Sequence, residues 1–115
     1  MDGAIGMNFV PLRYLTNNLI DKLMNDFQLI EKEAVEQLKF PTEEVLTDKE
    51  DILQRKNDLD RALALGNLEH VKMKIYFEDD ASKKMVETTV WGITNERVIL
   101  KKGVVIPINR IHKII

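Results

Sequence analysis

The sequence predicts an α+β domain: an N-terminal αα-hairpin over about 18–66, then, over about 70–115, a small antiparallel sheet of four to five strands or a small barrel. Three observations predict it. Apolar residues recur at steps of three and four between Ile20 and Leu38, the period of one helix face. Thr47-Asp48-Lys49-Glu50 reads as a capping box and Gly66 as a left-handed terminator, which together bound a second helix. From His70 onward the apolar period drops to two, as in strands with one buried face.

Asn8 to Leu15, interrupted by Pro11, reads as an extended lead-in. The first helix is expected from about Leu19 to Leu38. Asn18 is suited to cap it, Asp21 to oppose its dipole and Pro41 to stop it. Its apolar face would be Ile20, Leu23, Phe27, Ile30, Ala34 and Leu38, with Phe27 in the core. Residues 41–46 form a short connection. The second helix carries Ile52, Leu59, Ala62 and Leu63, with Lys56 interrupting the stripe, and Thr47 is its expected cap.

In the second half, Val71, Met73, Ile75 and Phe77 alternate with Lys72, Lys74, Tyr76 and Glu78, a half-buried strand. Residues 78–82 are polar turn material, and Met85 to Ile93 is a second strand rich in β-branched residues. Asn95-Glu96 and Gly103 turn the chain into strands at Arg97–Lys101 and Val104–Ile108. Pro107 has no backbone donor, so that strand belongs at an edge. Residues 109–115 are read as a short helical turn and a fifth short strand, docked through Ile111, Ile114 and Ile115.

At 115 residues the chain fits one domain, and its 44% apolar and 31% charged residues are those of a globular protein. No run approaches the ~18 apolar residues of a membrane span, and residues 1–14 lack the pattern of a secretory signal. Without cysteine there is no disulfide and no thiolate ligand, and a small domain without disulfides is expected in the cytoplasm. Charge is divided: 8 Lys/Arg against 14 Asp/Glu up to Glu69, then 9 against 5 from His70. The two halves therefore attract each other within one fold, and the basic half could also meet an acidic partner.

Candidate chemistry is sparse. The one serine, Ser82, lies in an acidic turn, and the only histidines are His70 and His112, a poor basis for nucleophilic catalysis. Glu78, Asp79 and Asp80 lack the ligand spacing of a calcium loop, and no glycine belongs to a phosphate-binding pattern. The expectation is a protein that is not an enzyme, with no cofactor, metal or small-molecule substrate. What remains is a basic β-surface of Lys72, Lys74, Tyr76, Lys101, Lys102 and Arg110, the candidate set for single-stranded nucleic acid. Tyr76 and Trp91 are its candidate stacking aromatics.

From His70 onward, four short strands followed by Ile106-Pro107-Ile108-Asn109-Arg110-Ile111-His112-Lys113-Ile114 resemble the small SH3-like and Sm-like barrels. Val86-Glu87-Thr88-Thr89-Val90-Trp91 together with that closing run is similar to uncharacterised conserved proteins of Bacteroidetes-type bacteria. The resemblance implies a bacterial protein that binds RNA, DNA or peptides, and supplies no catalytic residue. The expected function is non-catalytic binding: an adaptor or regulator recognising a protein partner, or a homo-oligomer. The exposed part of the helices and the edge strand near Pro107 would serve as its surface. An RNA- or DNA-binding accessory factor using the basic face is the alternative.

Overall fold

The computed structural model describes residues 26–115. Over these the chain is a mixed α+β fold with one long helix, α1 (Lys49–Glu69), and two open sheets. The first sheet has the order β1 (Gln28–Leu29), β3 (Lys83–Thr88), β2 (Met73–Glu78), β7 (Ile111–Ile114). The second has the order β4 (Val90–Ile93), β5 (Arg97–Leu100), β6 (Val105–Pro107). The two sheets do not close into one barrel.

The period-two reading places the strands well. β2 and β3 pair antiparallel from Met73↔Thr88 to Glu78↔Lys83, and β7 returns antiparallel along the other side of β2. The single second strand expected over 85–93 divides at Thr89 into β3 and β4, one in each sheet. A three-residue turn, Lys101–Gly103, joins β5 to β6, with Lys102 (φ 68°) and Gly103 (φ 82°) both left-handed. Glycine meets the second of those conformations without a Cβ penalty. Ile108–Arg110 forms a single 3-10 turn before β7, as the tail predicts.

The N-terminal half differs. Residues 26–38, the described part of the expected first helix, form β1 and a 3-10 turn at Lys32–Gln37; the part before Asp26 lies outside the described residues. Among the described residues there is therefore no αα-hairpin. Glu31 (ψ 146°) and Leu38 (ψ 152°) are extended, and Ile30 N–H donates to the Met85 carbonyl at 2.9 Å. The same apolar residues serve a different geometry. Val35 is fully buried in the core, while Ile30, Leu38 and Phe40 pack on it one at a time. This strap touches both β3 and β6 and fills the gap between the sheets, so tertiary packing overrides local helix preference. Phe27 is not in the core. It lies half-buried on the outer face of the first sheet, edge-on to Tyr76 and His112 at 5.3 and 5.4 Å.

Helix α1 forms where expected, with both ends shifted. Asp48 is the cap: its Oδ1 accepts from Glu50 N–H at 2.9 Å. Thr47 therefore does not supply the cap, because the chain enters the helix one residue later. The left-handed terminator is His70 (φ 56°), and Gly66 is internal to the helix. A Cβ on Gly66 would collide with the Val90 carbonyl oxygen, so glycine is needed there for close approach of helix to strand. The buried stripe is Arg55, Asp58, Leu59, Ala62 and Gly66, while Lys56 is exposed beside it. Leu59 and Ala62 complete a core of Ile75, Phe77, Val86, Val90, Val98, Leu100, Ile106, Ile111 and Ile114.

Candidate functional site

Two buried arginines fix the strap to the sheets. The guanidinium of Arg55 forks onto Glu44, donating to Oε1 and Oε2 at 2.7 Å each, and also donates to the Ile111 carbonyl at 2.9 Å. Arg110 donates to the carbonyls of Glu43 at 2.8 Å, Glu78 at 3.0 Å and Asp79 at 3.4 Å. Asn109 adds Nδ2 to the Thr42 carbonyl at 2.6 Å and accepts from Val45 N–H at 3.0 Å. Burial pushes the Glu44 carboxyl up, but the Arg55 fork and the amides of Leu46 and Val45 outweigh it and hold the carboxyl below its ordinary value.

Residues 35–44, held in this way, border two adjoining clefts beside β6. One, of about 510 Å³, is lined by residues that include Phe40, Pro41, Glu96, Arg97, Pro107 and Ile108. The other, of about 420 Å³, is lined in part by Glu36, Leu38, Phe40, Arg97, Val105 and Pro107. Phe40, Arg97 and Pro107 belong to both. β6 is an edge strand, as its proline requires. Leu100 N–H donates to the Val104 carbonyl and Ile108 N–H to that of Glu96, which puts the even-numbered residues of β6 in the ladder. By alternation Val105 and Pro107 turn their backbone groups to the outer edge, so the missing donor of Pro107 interrupts no ladder bond. Val105 leaves 42% of its surface exposed there.

The six residues of the predicted basic face do not share one environment. Lys72, Lys74, Lys101 and Lys102 are exposed and make no ion pair among the described residues. Lys101 N–H donates to the Thr89 carbonyl at 3.0 Å, which brings the turn of the second sheet beside the start of β2. Lys74 stands opposite Glu87, which lowers the local positive charge. Tyr76 is 5% exposed beneath Phe27, and Arg110 is 6% exposed with its guanidinium on backbone carbonyls. Neither presents a surface for a base or a phosphate. Trp91, by contrast, is 49% exposed.

Several titratable groups of the sheets and of α1 have structural partners. Asp79 Oδ1 accepts from the amides of Ala81 and Ser82 at 3.0 and 2.8 Å, and Lys84 Nζ lies 2.9 Å from its Oδ2. Burial raises this carboxyl, yet those amides and the ammonium hold it below the ordinary range. Ser82 Oγ accepts from the same ammonium at 2.7 Å. His112 Nε2 is 2.9 Å from Glu78 Oε1, while His70 caps the far end of α1. Asp58, 1% exposed, accepts from Gln54 and Arg61 through Oδ1, and Lys113 Nζ sits 3.0 Å from Oδ2. That last approach neutralises charge without a well-aligned hydrogen bond. No three His, Asp or Glu side chains converge as a metal site among the described residues. Nor does any helix there have the length and apolarity to cross a membrane.

Sequence reasoning found the edge at Pro107 and missed the strap that forms the facing wall. Phe40-Pro41 was legible only as a helix stop, and Arg97 only as the start of a strand and one of several basic residues at turns and strand ends. Comparison with known proteins gives no match to a family model, a curated protein or a solved structure.

Proposed function

We propose that this protein is a non-catalytic binding module, an adaptor or regulator, that holds a protein partner in the paired clefts along β6. The observation that carries the reading is the sharing of Phe40, Arg97 and Pro107 by two adjoining clefts on an exposed strand edge. Apolar walls with a few charged groups at the rim are the composition of protein-recognition surfaces. Of the carboxylates that line the clefts, that of Glu44 is closed by the Arg55 fork. The path of β7, which returns to β2 after a single 3-10 turn, supports the likeness to SH3-like barrels and hence, by analogy of fold alone, a binding role. We place this role in the cytoplasm, for which the cysteine-free composition is the support, and in a bacterium, on the resemblance of residues 86–91 and 106–114 alone.

Affinity purification of the full chain from its native cell, with and without nuclease, tests the reading. Val105→Glu puts a charge on the exposed edge without touching the core. Partners that survive nuclease and are lost with Val105→Glu are the expected result. Partners lost to nuclease and indifferent to Val105→Glu would refute it.

One observation favours a second reading, an RNA- or DNA-binding accessory factor: Lys72, Lys74, Lys101 and Lys102 are exposed and without ion partners among the described residues. On that reading Lys72→Gln with Lys74→Gln weakens oligonucleotide binding and lowers its salt slope by about 0.7 per lost contact on single strands.

A further inference from the structure

Among the described residues, Arg97 is the one arginine without a partner. Arg55 holds Glu44, Arg61 holds Asp58 and Arg110 holds three carbonyls, whereas Arg97 makes no ion pair or side-chain hydrogen bond. Its backbone is nonetheless fixed. Thr94 N–H donates to the Arg97 carbonyl at 2.8 Å, and Arg97 N–H donates to Thr94 Oγ1 at 3.0 Å. Its cross-strand neighbour is Pro107, in a pair without hydrogen bonds, the kind in which facing side chains lie closest. The guanidinium therefore rises beside a rigid ring at the junction of the two clefts.

The charges around it are ordered. Glu36 lines one cleft and Glu96 the other, neither with an ion partner among the described residues, and Arg97 lines both. A run of phosphates laid along the clefts would meet both acids and be repelled. A single carboxylate seated where the clefts join would meet the residue common to both, an arginine whose planar fork suits a carboxylate in two-point contact. Apolar surface for a neighbouring side chain is at hand in Phe40, Pro107 and the exposed Val105.

We infer that the clefts take an extended segment of a partner protein with one carboxylate seated on Arg97 and an apolar side chain beside it against Phe40 and Pro107. This rests on the protein-binding reading of the same clefts and names the chemistry they select. At about 3.3 Å per extended residue, the stretch facing Val104 to Asn109 accommodates a core of about five residues. The carboxylate comes from an Asp or Glu side chain or from a chain terminus, and both have the required geometry.

A phage-displayed library of random seven-residue peptides, selected against the full chain, supplies the probes. Selected peptides are then synthesised with free and with amidated C-termini, titrated against the chain, and mapped by amide chemical shifts. The expected outcome is a shared carboxylate next to an apolar residue, and shifts at Phe40, Arg97, Val105 and Ile108. Neutralising that carboxylate should weaken binding about tenfold or more, Arg97→Gln should do the same, and both together should lose little further. Loss on amidation assigns the carboxylate to the terminus, and loss on Asp→Asn or Glu→Gln assigns it to a side chain. Peptides that shift the cleft amides but show no acidic preference and bind Arg97→Gln equally well would overturn this inference and leave the clefts as a binding site. Peptides that shift only amides elsewhere, or no selected peptide at all, would overturn the cleft reading as well.

Discussion

Gly66→Ala reverses sign between the two levels of description. In an exposed helix interior, alanine is favoured over glycine by about 1 kcal/mol, so propensity alone expects a more stable protein. Here the added Cβ would overlap the Val90 carbonyl oxygen and come within 3.1 Å of Thr89 Cγ2 and 3.3 Å of the Val90 carbonyl carbon. Two of these three atoms are backbone of Val90, the first residue of β4, so no side-chain rotation relieves the contact; α1 or β4 must move. Overpacking of this kind costs about 1–3 kcal/mol. Against the ~1 kcal/mol gain in propensity, the net is a loss of up to about 2 kcal/mol, or a fall in Tm of up to roughly 16 °C for a domain of this size. Urea and thermal unfolding of the full chain read it directly. Ala64→Gly on the exposed face of the same helix is the control, and should lose about 1 kcal/mol through propensity alone. A Gly66→Ala protein more stable than the parent would show that helix and strand do not approach as described.

Other substitutions check the caps and the staples. Asp48→Ala should lose about 1 kcal/mol by urea unfolding and Thr47→Ala much less, because the side-chain bond to Glu50 N–H comes from Asp48; the reverse ranking would return the cap to Thr47. Arg110→Ala leaves the carbonyls of Glu43, Glu78 and Asp79 without their donor and should lose about 2–4 kcal/mol, whereas exposed Lys101→Ala should stay within about 0.5 kcal/mol. Equal thermal midpoints for those two would remove Arg110 from its structural role. For pH, both Glu44 and Asp79 have depressed carboxyls, so their contribution is complete above the ordinary values of 4.5 and 3.8 and is lost as pH falls through the lower folded values. Stability should therefore be level from neutrality to about pH 5 and decline below it. Glu44→Gln should make that acid decline shallower in a Tm series, and superposable declines would refute the role of the Arg55 fork.

Much of the second half was legible from residue order because its information is local. Alternation from Met73 to Phe77 names the buried face of β2, Asn95-Glu96 and Gly103 mark turns, and Pro107 marks an edge. Each statement follows from the period of the pleat, the φ that glycine tolerates or the donor that proline lacks. The body of α1 was legible for the same reason, through its apolar spacing.

The first half depended on partners far along the chain. Phe27, Ile30 and Leu38 recur with a helical step, yet their environment is set by β2, β3, β6 and β7, so the backbone runs extended and through a 3-10 turn to fill the gap between the sheets. Periodicity reports which residues prefer burial and is silent about which surface buries them. Arg110 and Arg97 make the same point for function. Each is one basic residue at or next to the start of a strand, and no local signal separates the one held by three carbonyls from the one left free. The sequence by itself determined most strands of the second half, the edge and the body of the long helix, because period and turn chemistry act within a few residues. Only the tertiary structure decided the strap, the paired clefts and which cation faces them, because those depend on packing between distant segments, as between Thr42 and Asn109, 67 residues apart.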